Sequence, residues 1–248
     1  MRSELSMAGE GKCLIVSGDG VFLTRQGEGP TIGKRAVFLR LNECNLDCDF
    51  CDTPHTWQRD HPSYGERMLW TVKETLENIL TECNRRCRRL VLTGGEPLLQ
   101  QDLLAELCRK KAIRKWKVEI ETNGTIYPNA FKNFPRKRLQ INCSPKLSNS
   151  GIAYERRTRL EVLQDLVTTF PTILKFVVET LEDLSEIDAH VLPHVPDFPR
   201  NRVYISPEGT SVERIDAVRA LIESKVRELG FKLGDRWHIR MYGNVRRT

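Results

Sequence analysis

The chain of 248 residues has no run of about 18 apolar residues, the length a helix needs to cross a bilayer, so no membrane-spanning helix is expected. Residues 1–12 lack the apolar centre of a secretory signal and read as a flexible extension ahead of a single domain over 13–248. A cytoplasmic protein with reduced thiols is therefore expected. Internal repeats and low-complexity tracts are also lacking. So is a basic stripe interleaved with aromatics, despite a net charge of +6. Arg85, Arg86 and Arg88, then Arg109, Lys110 and Lys111, then Arg246 and Arg247 stand apart along the chain. The sequence thus predicts no direct nucleic-acid partner, and its charge suits an anionic small molecule. The most telling absence is a fourth cysteine. Cys44, Cys48 and Cys51 are spaced C-x3-C-x2-C, and none follows at a matching interval.

A four-iron cluster normally takes four thiolates, and a closed zinc site also takes four ligands. Three thiolates leave one iron open, and an open iron can hold S-adenosylmethionine (SAM) and cleave it to a carbon radical. Three clustered cysteines also suit buried small side chains or a zinc site completed by a distant histidine. The other five, Cys13, Cys83, Cys87, Cys108 and Cys143, are scattered and read as packing or surface residues. Cys83 and Cys87 could share a helix face.

At 40% hydrophobic residues the chain can bury a core, which excludes disorder. Short apolar runs at 36–41, 90–92, 118–120, 139–141, 173–178, 203–205 and 238–241 predict seven strands. Helical patterns fall between them at 71–82, 98–111, 158–168, 181–192 and 211–229. Thr71 with Glu74 spells a capping box, and Gly230 suits a C-terminal cap. Alternating strands and helices imply an α/β fold with a mainly parallel sheet, and seven strands are too few to close an eight-fold barrel. An open, partial (β/α) barrel is expected, with an extra hairpin over 14–24. The three cysteines then lie on the loop after the first barrel strand, where active-site groups collect.

Other strand ends carry unusual loops. Thr93-Gly94-Gly95-Glu96-Pro97 has two glycines that permit close backbone approach. Glu121-Thr122-Asn123-Gly124-Thr125 contains a turn signal, and Asn142-Cys143-Ser144-Pro145-Lys146 a proline-fixed turn with hydrogen-bonding side chains. Arg25-Gln26-Gly27-Glu28-Gly29-Pro30 suits recognition of a ring with several N–H groups, or a plain surface turn. Thr53, two residues past Cys51, offers an oxygen to a hard ion such as Mg²⁺.

The cysteine loop followed by TGGEP resembles the radical SAM superfamily. With QGEGP before it and CDTPHTW and SPK after, the order resembles the 7-carboxy-7-deazaguanine synthases, closely from Val21 to Lys146 and more loosely beyond. That resemblance implies a radical SAM fold and a [4Fe–4S] cluster on Cys44, Cys48 and Cys51. It implies SAM contacts from Phe50, Asp52, Gly94, Gly95, Glu96, Ser144, Pro145 and Lys146, and Mg²⁺ at Thr53. It implies substrate contacts from Arg25, Gln26, Gly27, Arg40 and Thr93. The position of Arg25 is often apolar in the family, so Arg25 would act through its backbone. The implied substrate is 6-carboxy-5,6,7,8-tetrahydropterin, and the products are 7-carboxy-7-deazaguanine and ammonia. A homodimer and a flavodoxin- or ferredoxin-like electron donor are implied as well. Three rivals remain at this point. A glycyl-radical-activating enzyme shares the cluster loop but has no need of QGEGP or Thr53. A tRNA-modifying radical enzyme would show a concentrated basic face, and a non-catalytic metal module would not need the SAM loops.

Overall fold

The computed structural model describes residues 12–85 and 87–248. The expected extension over 1–12 lies, but for Lys12, outside the described residues. The chain enters a strand at Leu14–Arg25 (β1), which pairs antiparallel with Arg35–Leu41 (β2) and Met68–Trp70 (β3). The expected 14–24 hairpin is therefore one bent strand. Its glycines mark a register shift between Val16 and Val21, and Gly20 takes a φ of +63° there.

From β2 onward every pairing is parallel. Arg89–Gly94 (β4), Lys117–Thr122 (β5), Leu139–Cys143 (β6), Thr172–Val178 (β7), Val203–Pro207 (β8) and Lys232–Leu233 (β9) follow in that order across the sheet. β3 and β9 form its two edges, so the barrel stays open. Val72–Cys83 (α1), Gln101–Arg109 (α2), Tyr154–Arg157 (α3), Leu160–Thr169 (α4), Leu181–Glu186 (α5), Val212–Glu228 (α6) and Trp237–Tyr242 (α7) fill the connections. The predicted capping box forms: the Thr71 hydroxyl accepts from the Glu74 N–H, and Glu74 accepts from the Thr71 N–H at 2.7 Å. Such a cap contributes about 1 kcal/mol.

Two further expected elements differ. The 181–192 helix loses its α pitch after Glu186 and passes through a π turn at Ile187–Val191, ahead of Pro193. The expected strand at 238–241 is α7 instead. Four residues are too few to separate the two periods. Its first amide, Trp237 N–H, donates to Gly27 O at 2.9 Å, and i→i+4 bonds follow from Arg240 and Gly243.

Side-chain alternation sets what each face of the sheet does. Val37, Leu39, Leu90, Leu92, Val118, Ile120, Leu174 and Phe176 join Ile79, Leu104, Leu107, Leu166, Val218 and Ile222 of the helices in one buried core. Each such residue contributes about 1.5–3 kcal/mol of burial. Their strand neighbours Phe38, Arg40, Thr93, Glu121, Asn142 and Lys175 point into the half-barrel and line a cavity. Cys83 and Cys87 lie with Sγ atoms 4.0 Å apart at the opposite end of the strands, but not on one helix face, since α1 ends at Cys83.

Candidate active site

The cavity begins where the loops after β2 and β4 close on each other. Gly95 N–H donates to Leu41 O at 3.2 Å, and Glu96 N–H to Glu43 O at 2.8 Å. A Cβ on Gly94 would overlap the Leu41 backbone, and one on Gly95 the Glu43 carbonyl. Gly94 also takes a φ of +129°. The close approach these glycines allow is thus first to the cysteine loop itself. Glu96 locks the arrangement from beneath. Its buried carboxylate accepts from Leu98 N–H (2.9 Å), Asn123 N–H (2.7 Å) and the Thr122 hydroxyl (3.0 Å). Burial drives its carboxyl up to about 7 against those donors.

Above these loops lies a cavity of about 220 Å³. Its lining includes Arg25, Gln26, Gly27, Arg40, Cys44, Cys48, Phe50, Cys51, Asp52, Thr53, Thr93, Gly94, Gly95, Ser144 and Lys146. Fifteen of the seventeen residues singled out from the sequence therefore meet in one space. Glu96 and Pro145 do not line it. The Glu96 carboxylate faces the loops it braces, and Pro145 shapes the turn between Ser144 and Lys146.

The three thiols are free. Leu46 N–H donates to Cys44 Sγ at 3.5 Å, and the Trp57 indole N–H to Cys51 Sγ at 3.2 Å. Burial pushes the Cys44 thiol up to about 12 and raises Cys48 as well. Thiols so placed ionise only beside a cation. Thr53 Oγ1 stands 3.7 Å from Cys51 Sγ. Among the described residues, no group of three or more His, Cys, Asp or Glu side chains is arranged for a metal ion.

The far wall is a network of charges. Glu28 pairs with Lys175 and with Arg236 (3.3 Å), and Arg236 reaches Asp52 and Gly209 O. Burial alone would raise the Glu28 carboxyl, but Lys175 and Arg236 hold it far below the usual carboxylate range. His238, packed so close that a side chain on Gly27 would overlap its ring, is lowered by burial. At the floor, Gln26 donates to Glu121 at 3.0 Å, and the Thr93 hydroxyl to Glu121 at 2.7 Å. Arg40 Nε pairs with Asp19 at 2.8 Å, and Asp19 also holds His55 (3.1 Å) and Arg246 (2.6 Å). Sequence reasoning gave Glu121 and Asn142 no role beyond their strand-end loops, and missed Lys175, Arg236 and His238 as lining residues. The signal was present for three: Glu121, Asn142 and Lys175 are polar residues at alternate positions inside strands.

The chain also resembles known proteins. The family model of the radical SAM superfamily matches residues 39–146, which hold the cysteine loop, TGGEP and SPK. A 7-carboxy-7-deazaguanine synthase of Rhodopirellula baltica is 32% identical over 92% of this chain and 86% of its own length. One of Halobacterium salinarum is 30% identical over 99% and 96%. The crystal structure of QueE from Escherichia coli superposes with a TM-score of 0.69 at 24% identity, covering 96% of this chain and all of that one, which supports the fold. Cysteine loop, glycine turn and relatives matched along nearly their whole length place the chain in the 7-carboxy-7-deazaguanine synthase family of radical SAM proteins.

Proposed function

We propose that the protein is a lyase converting 6-carboxy-5,6,7,8-tetrahydropterin to 7-carboxy-7-deazaguanine and ammonia, in 7-deazapurine (queuosine-type) biosynthesis. The observation that carries this reading is the single cavity shared by the three cysteines, the glycine turn and the Arg25-Gln26-Gly27 segment. A glycyl-radical-activating role needs only the first two.

The residues fit the groups the reaction requires. Cys44, Cys48 and Cys51 would hold a [4Fe–4S] cluster, since all three line the cavity and the sulfurs of Cys44 and Cys51 accept N–H donors, as cluster thiolates do. Gly94, Gly95, Ser144 and Lys146 adjoin them and would bind SAM. Cluster and SAM together supply a carbon radical able to take hydrogen from a bound ring. Thr53 offers an oxygen to Mg²⁺. Glu121 and Gln26 present an acceptor and an amide to a ring bearing N–H and C=O groups. Arg40 and Lys175 present cations to its carboxylate. The charged wall of Glu28, Lys175, Arg236 and Asp52 fixes these groups before substrate arrives, so orientation is paid for in folding. A flavodoxin- or ferredoxin-like donor and a homodimer complete the reading.

Turnover of the carboxypterin with anaerobically reconstituted protein, SAM and dithionite is the test. Deuterium at C6 of the pterin should appear in 5′-deoxyadenosine and in recovered SAM. Label that stays on the pterin or enters only solvent sinks the reading. Mg²⁺ should raise turnover, and Thr53→Ala should blunt that response with the cluster intact.

A further inference from the structure

Two of the basic groups that stand apart in the sequence, 85–88 and 109–111, are gathered in space with a third at 132–138, while Arg246 and Arg247 lie elsewhere. Segments 84–89, 109–117 and 132–138 lead into β4, β5 and β6, three adjacent strands, and so meet at the sheet's N-terminal edge. They are bonded to one another. Lys117 N–H donates to Arg88 O at 2.9 Å, Lys117 Nζ to Lys137 O at 2.5 Å, and Arg138 Nε to Trp116 O at 3.0 Å. These 22 residues hold 14 of the chain's 39 Lys and Arg and no Asp or Glu. The remaining 25 basic residues face 33 acidic ones, so the rest of the chain has a net charge of −8. Among the described residues of these segments only Arg89 and Lys110 have a carboxylate partner. Arg85, Arg88, Lys111, Arg114, Lys115 and Arg136 are exposed.

We infer that this edge is a docking surface for a duplex or folded nucleic acid, held through its phosphates without reading of sequence. Three observations choose this occupant. The three segments expose no large apolar side chain, among the described residues. Protein interfaces have an apolar core and surface-lying membrane helices an apolar face, whereas nucleic-acid interfaces are polar and strongly positive. The aromatics of the patch, Trp116 and Phe134, are 6% and 4% exposed, so they offer no stacking platform to single strands. Finally, the edge lies a strand length, about 16 Å, from the cysteine loop. An electron carrier has to approach that loop, not this edge.

The test is fluorescence anisotropy of the reconstituted protein with labelled 20-base-pair DNA and RNA duplexes from 50 to 200 mM KCl. Binding with a log–log salt slope of about −4 to −5 is expected, as for about five phosphates neutralised. Lys111→Glu/Arg114→Glu/Lys115→Glu should weaken binding at least about tenfold and reduce the slope's magnitude by about 3. It should leave pterin turnover unchanged. A control on two helices outside the patch, Lys73→Glu/Lys225→Glu, should retain most of the binding. The inference is overturned by no duplex binding at 50 mM KCl, or by equal effects of patch and control substitutions. Tighter binding to oligo-dT, to polyglutamate or to vesicles with 30% phosphatidylserine also overturns it. Loss of turnover alone would strike the proposed reaction and leave this surface standing.

Discussion

The two edges of the sheet use the same residue types in opposite ways. At the C-terminal edge charges are paired and mostly shielded from solvent, Asp52 and Arg246 being the exposed members: Glu28 with Lys175 and Arg236, Arg236 with Asp52, Asp19 with Arg40 and Arg246. At the N-terminal edge cations are exposed and mostly unpaired. A buried pair is fixed in one geometry because removing either member strands the other. An exposed cation contributes little to stability and stays available. The difference separates a site built to orient a small molecule from a surface suited to a large polyanion.

The comparison can be broken first with the cysteines. Cys44→Ala, Cys48→Ala or Cys51→Ala should abolish the brown chromophore of the reconstituted protein and all SAM cleavage. Cys87→Ala, at the basic edge, should leave both, as read by absorbance and by release of 5′-deoxyadenosine. Next comes Lys175→Met, which leaves Glu28 with Arg236 as its cation partner. It should lower stability by about 1.5–3 kcal/mol in urea unfolding. Arg40→Ala removes a cavity cation, and charged hydrogen bonds are worth about 1.5–3 kcal/mol. The pterin should bind about ten- to a hundredfold more weakly by calorimetry, with SAM binding kept.

Acid sharpens the same contrast. Burial raises the Asp19 carboxyl, but His55, Arg40 and Arg246 outweigh it and hold it at about 2, below the ordinary 3.8. The folded state therefore binds this proton more weakly than the unfolded chain. Its stabilisation is complete above about pH 4 and is lost as pH falls through about 2. The melting-temperature gap between wild type and Asp19→Asn should be constant from pH 7 to 5 and shrink below pH 4. The smallest effect belongs to the basic edge. Lys115→Ala should change stability by no more than about 0.5 kcal/mol.

Much of the site was legible because its parts are local. A cysteine loop, a glycine turn and a proline turn each keep their spacing in sequence, and each follows an apolar run that marks a strand end. The fold followed from the same runs. What escaped depends on assembly. Arg236 and His238 reach the cavity only because the four-residue run 238–241 coils into α7, and a run that short carries no period. The glycines of 14–24 signal a turn, yet the flanking residues have partners on β2 and β3, so the strand bends and continues. The basic edge was illegible for the opposite reason. Its three segments are each unremarkable, and only parallel pairing of β4, β5 and β6 brings them side by side.

The docking of α7 on Gly27 has a consequence in time. Arg236 meets Glu28 across 208 positions and Arg246 meets Asp19 across 227. The neighbouring strands β4, β5 and β6 pair across fewer than 30 positions each. Contacts that close such long loops come late in folding, since the entropy of closure precedes any gain. In that order of assembly the cysteine loop, the glycine turn and the Gln26 turn would stay half-walled and open to solvent until residues 236–246 dock. Iron and sulfide for the proposed cluster would then reach the three thiols from an aqueous face, before the charged wall forms.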